Sequence, residues 1–125
     1  MSSPIKAVLD VLIALDEVEW ARFVGGDEPL RPPYVAWRFK IPDESLEARI
    51  VDAVKTYDGR TEWTISKGRR NWVIGPLAFD KFAKSFQVDV EASRQFGREF
   101  PSETREALSD ATELARHLRK VLLPH

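Results

Sequence analysis

The chain has 125 residues, of which 43% are hydrophobic and 31% charged, and its formal net charge is −1. That balance fits a single globular domain over residues 1–125 and excludes a disordered tail, while no apolar run reaches the roughly 20 residues that span a bilayer. Lys6 and Asp10 break up the N-terminus where a signal peptide would be apolar, which gives a cytoplasmic expectation, and the absence of cysteine excludes disulfides and thiolate chemistry.

Ser3 before Pro4 predicts a helix start, and Ile5, Val8, Leu9, Leu12, Ile13 and Leu15 follow at helical spacing. Asp16 with Glu19 resembles a capping box. The helix is expected to continue, in one piece or in two, and its second part presents Val18, Ala21, Phe23 and Val24 before Gly25 and Gly26 end it. The segment GDEPLRPPY carries three prolines and reads as an extended loop. Residues 34–41 then alternate. Val35, Trp37, Phe39 and Ile41 make one face of a strand; Tyr34, Ala36, Arg38 and Lys40 make the other.

Pro42, Asp43 and Glu44 open a helix with its negative charge at the favourable end, and Leu46, Ile50, Ala53, Val54 and Tyr57 form its stripe. Asp58 and Gly59 turn the chain. Residues 61–66 and 71–74 are rich in β-branched and aromatic types and read as a hairpin around Gly68. Gly75 and Pro76 lead into a helix with Phe79, Phe82, Ala83 and Phe86 on one side and Lys81 and Lys84 off it. Residues 87–100 fit a strand through Val88 and Val90, or a short helix through Ala92 and Phe96 interrupted near Gly97. Beyond Pro101, with Ser102 as the expected cap, Leu108, Ala111, Leu114, Ala115, Leu118, Val121 and Leu122 mark a long last helix, able to pack on the sheet or on a copy of itself. The expected fold is α+β: a small antiparallel sheet of three to four strands packed with four to five helices.

Charge is unevenly spread. Residues 1–30 carry two basic and six acidic groups, whereas residues 60–84 carry six basic and two acidic. Local potential, rather than the total, steers a polyanion. His117 and His125 have no second ligand at metal spacing, and no phosphate-binding glycine loop occurs, so no metal or cofactor is expected. The acidic pairs (Asp43/Glu44 and Asp16/Glu17/Glu19) sit at expected helix starts, where capping accounts for them better than a small metal-dependent nuclease does. No nucleophile, base and orienter set is present, so no catalysis is expected.

What remains is an aromatic and basic constellation. Trp37, Trp63, Trp72 and Tyr34 fall on expected strands and are candidate stacking platforms for unpaired bases. Arg38, Lys40, Arg60, Lys67, Arg69 and Arg70 are candidate phosphate contacts. Burial of the tryptophans as core is the competing reading. The segments YVAWRFKIP (residues 34–42) and EWTISKGRRNWVIGP (residues 62–76) carry a resemblance to the ThermoDBP group, non-OB single-stranded DNA-binding proteins of hyperthermophilic archaea. The chain looks like a ThermoDBP-related protein without a long C-terminal coiled coil. One asparagine, two glutamines and a single methionine against many Glu, Arg and Lys resemble a hyperthermophile composition. The resemblance implies an aromatic cleft flanked by cations, and homo-oligomers (dimer or tetramer) that enclose the strand. The expected function is sequence-tolerant binding of single-stranded DNA; an RNA-binding module and an oligomeric scaffold are the alternatives.

Overall fold

Strand pairing in the middle of the chain sets the architecture. The computed structural model describes residues 4–27, 30–68, 71–84 and 89–123. Among them lie α1 (Lys6–Ile13), β1 (Val18–Asp27), β2 (Leu30–Phe39), α2 (Glu44–Thr56), β3 (Trp63–Lys67), β4 (Trp72–Pro76), α3 (Leu77–Ala83), α4 (Asp89–Glu99) and α5 (Pro101–Leu122). The strands form one antiparallel sheet in the order β1-β2-β4-β3, so two hairpins meet along β2 and β4. This is the expected α+β architecture with its long last helix. No helix of the described residues is long and apolar enough to cross a membrane.

Directly opposed residues share a face of the sheet, so the register sorts the side chains. Ala21, Phe23, Val35, Trp37, Phe39, Ile65, Trp72 and Ile74 point to one side. There they pack with the stripes of α1, α2 and α5 in the main core. Trp37 is completely buried at its centre. Burying such a ring stabilises by up to about 4–6 kcal/mol on area grounds. The alternation expected for residues 34–41 therefore marks the inner face correctly up to Phe39; Ile41, beyond the strand, is exposed. The α5 stripe, including Leu108, Ala111, Leu114 and Leu118, is buried within its own chain, but Val121 is exposed.

The other face carries Trp20, Arg22, Val24, Tyr34, Ala36, Arg38 and Val73. A second apolar cluster (Phe79, Ala92 and Phe96, with Tyr34 and Phe82) places α3 and α4 against this side of the sheet.

Several expectations are corrected. The segment 18–24 is not helical; it is β1. Register shifts between Val18 and Trp20 and between Val24 and Gly26 insert bulges. A bulge turns the strand period of two into a spacing of three from Val18 to Ala21, which imitates a helix. With the strand in place, Asp16 and Glu19 do not make a capping box, and Gly25 is no helix end. Gly25 sits at φ 118°, where a Cβ would meet Pro33 Cα at 2.5 Å.

Of the proline-rich segment, Gly26 and Asp27 end β1 and residues 30–34 begin β2, while Glu28 and Pro29 lie outside the described residues. Pro32 and Pro33 are tolerated because they face the second bulge and lie beyond the β2–β4 ladder, which pairs Val35, Ala36 and Trp37. Of the segment left open between strand and helix, the described residues Asp89–Glu99 form α4. Its Gly97 lies against β2, where a Cβ would clash with the Leu30 carbonyl. For α5, Phe100 occupies the cap position and Pro101 the first helical one, in place of a Ser102 cap. Asp43 does cap α2, accepting from the Leu46 amide at 3.0 Å. Ser3, Phe86 and Val88 lie outside the described residues, as do Arg69, Arg70 and His125.

Candidate nucleic-acid interface

The β3–β4 register pairs Lys67 with Trp72, and the β2–β4 register pairs Trp72 with Trp37. Trp72 is thereby held between two neighbours. One ring face stacks on Trp37, with centroids 6.2 Å apart and planes inclined by 16°. The Lys67 ammonium lies 5.2 Å from the ring centroid, a cation–π distance, and 3.9 Å from the Glu47 carboxylate. The Lys67 side chain is 56% exposed and that of Glu47 only 14%. The Gly68 amide donates to the Asn71 carbonyl at 2.8 Å and closes the hairpin. In the sequence, Arg69 and Arg70 stand between those two residues.

A groove of about 260 Å³ opens at this end of the sheet, lined by Arg38, Phe39, Lys40, Glu47, Lys67 and Trp72, with Pro42 at its edge. Lys40 and Lys67 line it with the Glu47 carboxylate, while Arg38 borders it from β2 with its side chain on the opposite face of the sheet. Arg38 also pairs with Glu19 at 3.3 Å, both side chains half exposed. Surface pairs of this kind hold loosely, about 0–1 kcal/mol, so Arg38 can exchange partners. Beyond Lys40 the surface turns acidic: a wider hollow is lined by Asp16, Glu17, Asp43 and Glu44 together with Ile41. A polyanion on the groove would thus be bounded on that side by like charge.

The structure brings together Arg38, Lys40, Lys67 and Trp72 of the expected residues. It does not bring in the other four described ones. Trp37 lies beneath Trp72 with no exposed surface. Trp63 is 7% exposed, and its indole nitrogen donates to Asp110 at 2.9 Å, so it is a core residue and not a stacking surface. Tyr34 is on the opposite face, stacked on Phe79 at 5.9 Å. Arg60 is exposed among Glu62, Lys81, Glu103 and Glu106, remote from the groove lining.

Sequence reasoning missed Trp20. It is half-buried on the outer face, with the Arg22 guanidinium 5.4 Å from its ring. A strand reading of residues 20–24 would have shown the pair on one face; the bulge concealed it. Among the described residues, no group of three or more His, Asp or Glu side chains is placed to hold a metal ion.

Comparison with protein-family models, with curated proteins and with solved structures gave no match for this chain.

Proposed function

We propose that this protein binds single-stranded nucleic acid, with single-stranded DNA as the principal ligand, in a sequence-tolerant manner and without catalysis. The observation that carries the proposal is the placement of the Lys67 ammonium over Trp72, in a groove shared with Lys40 and bordered by Arg38. In the free protein the lysine occupies the ring face that a base would need. An exposed cation–π contact is worth about 0.5–1 kcal/mol, and the Lys67–Glu47 pair adds at most about 1 kcal/mol. A stacked base returns about 1–3 kcal/mol, and the displaced ammonium stays within reach of the phosphate that accompanies it. The stacking gain thus matches or exceeds these losses, and the phosphate contact adds to it. Trp37, rigid beneath Trp72, keeps the platform flat at no cost in side-chain entropy on binding.

The resemblance to ThermoDBP-related proteins supports the same ligand. It extends the proposal to a homo-oligomeric cytoplasmic protein of a hyperthermophilic archaeon. Fluorescence anisotropy of a labelled oligo-dT, titrated at low and at high salt, tests the proposal, with an RNA oligomer of equal length as a second arm. Tight low-salt binding that Trp72→Ala weakens by tenfold or more is expected. No binding at low salt, or a Trp72→Ala variant equal to wild type, would overturn it. Tighter binding of RNA would reassign the ligand.

A further inference from the structure

On the other face of the β3–β4 hairpin, under the first turn of α3, lies a separate cavity of about 190 Å³. Its chemistry is mixed in a directional way. Tyr34 and Phe79, stacked on each other, form an aromatic wall. Gly75 leaves part of the sheet bare beside it; a Cβ there would sit 3.2 Å from Tyr34 Cβ. The Thr64 and Ser66 hydroxyls come from β3, and the Asp80 carboxylate from α3. Asp80 is partly exposed and is held by an i,i+4 ion pair to Lys84 at 3.9 Å. A carboxylate at a helix start is ordinary. Here, however, the same side chain also lines a cavity furnished with hydroxyls and aromatic carbon.

The volume is below the roughly 300–1,000 Å³ of sites for drug-sized ligands, so the cavity suits one small ring system. An ionised carboxylate only accepts hydrogen bonds, so the ring must present donors towards Asp80. Hydroxyls can turn to donate or accept, and so serve the remaining polar edge. Resting on the proposal that this chain binds single-stranded nucleic acid, we infer that this cavity receives one base turned out of the strand and selects an amine-bearing base, cytosine foremost. Its exocyclic amine donates to Asp80. Thymine presents a carbonyl at the same position and would set an acceptor against the carboxylate. The Ser66–Val73 pair lining the cavity is the immediate neighbour of the Lys67–Trp72 pair in the ladder. One strand passing over the hairpin thus has a tolerant stacking position on one face and a selective position on the other.

The experiment compares oligo-dC and oligo-dT of equal length by anisotropy on the wild type, Asp80→Ala and Thr64→Val. Wild type should bind oligo-dC at least about tenfold more tightly, the lower end of what one hydrogen bond to a charged group gives. Asp80→Ala should bring oligo-dC and oligo-dT to equal affinity, with an unchanged circular dichroism spectrum and Tm showing that the variant folds. Thr64→Val should narrow the ratio in part. Equal wild-type affinities, or a preference that survives Asp80→Ala, would overturn the inference while leaving oligo-dT binding intact. If neither oligomer binds at low salt, the nucleic-acid proposal falls and the base pocket with it.

Discussion

The carboxylate of Asp110 receives the indole N–H of Trp63 at 2.9 Å, and so ties the middle of α5 to the start of β3. The same carboxylate accepts the Tyr57 hydroxyl at 2.7 Å and the Thr61 amide at 3.3 Å. One buried acid thus satisfies donors from the end of α2, the following turn and β3. A hydrogen bond to a charged group is worth about 1.5–3 kcal/mol, and an orphaned buried donor costs about 1–3 kcal/mol. Asp110→Asn should therefore lower stability by about 1–3 kcal/mol, because its amide turns a donor towards these donors, and Asp110→Ala should lower it more. Urea denaturation followed by far-ultraviolet circular dichroism measures both; an Asn variant as stable as wild type would contradict this role.

Tyr57 should ionise far above its ordinary pKa. Burial is the largest cause, followed by its hydrogen bond to Asp110 and then by the charges of Asp110, Glu113 and Asp58. In the unfolded chain a tyrosine loses its proton near pH 10. Below that pH both states are protonated and Tyr57 adds no pH dependence. Above it the unfolded state releases a proton that the folded state retains, so stability falls with rising pH until the folded phenol ionises as well. Ultraviolet titration of Tyr34→Phe should show no phenolate near pH 10, and Tyr57→Phe should flatten the alkaline loss of stability.

Gly25 should resist substitution. At φ 118° a side chain is strained, and a Cβ would lie 2.5 Å from Pro33 Cα and 2.8 Å from the Pro32 carbonyl oxygen. Both obstacles are backbone of the neighbouring strand and cannot rotate away. Gly25→Ala should cost at least about 1–3 kcal/mol, read as a drop in Tm. An unchanged Tm would mean that the bulge relaxes freely.

The four tryptophans should divide into two pairs. Trp37 and Trp63 are buried, whereas Trp20 and Trp72 are half-buried. In single Trp→Phe variants, acrylamide quenching should fall on removing Trp20 or Trp72 and rise on removing Trp37 or Trp63, whose buried emission is not quenched. Quenching by oligo-dT should depend chiefly on Trp72. Loss of that response in Trp63→Phe, with fold and Tm intact, would move the stacking position elsewhere.

Binding should weaken steeply with salt. With about four phosphates neutralised per subunit, log K against log salt should have a slope near −3. Lys67→Ala should make the slope shallower by about 0.7 and weaken low-salt binding. The same change uncovers the Trp72 ring, so at high salt the variant should pass wild type. Isothermal titration across a salt series checks this: a variant that passes wild type at high salt supports the uncovered ring, whereas loss of a purely electrostatic lysine would only converge on wild type there.

Local periodicity was enough for much of the fold. The alternation around Val35, Trp37 and Phe39, the α2 stripe from Leu46 to Val54 with its Asp43 cap, and the long α5 stripe are all properties of neighbours in sequence. Each survived because its period is set by the backbone of one element. Where a bulge changed the period, as between Val18 and Trp20, the same reasoning took a strand for a helix and lost Trp20 with it. The candidate site was legible only as a list of aromatic and basic residues. Nothing local separates Trp63 from Trp72, since each sits in a short strand with a polar residue just before it and an isoleucine two positions on. Tertiary structure separates them: packing against α5 buries Trp63 on Asp110, while the β2–β4 and β3–β4 registers set Trp72 between Trp37 and Lys67 at the open end of the sheet. Which ring meets solvent depends on partners distant in sequence, and a single chain's periodicity does not encode that pairing.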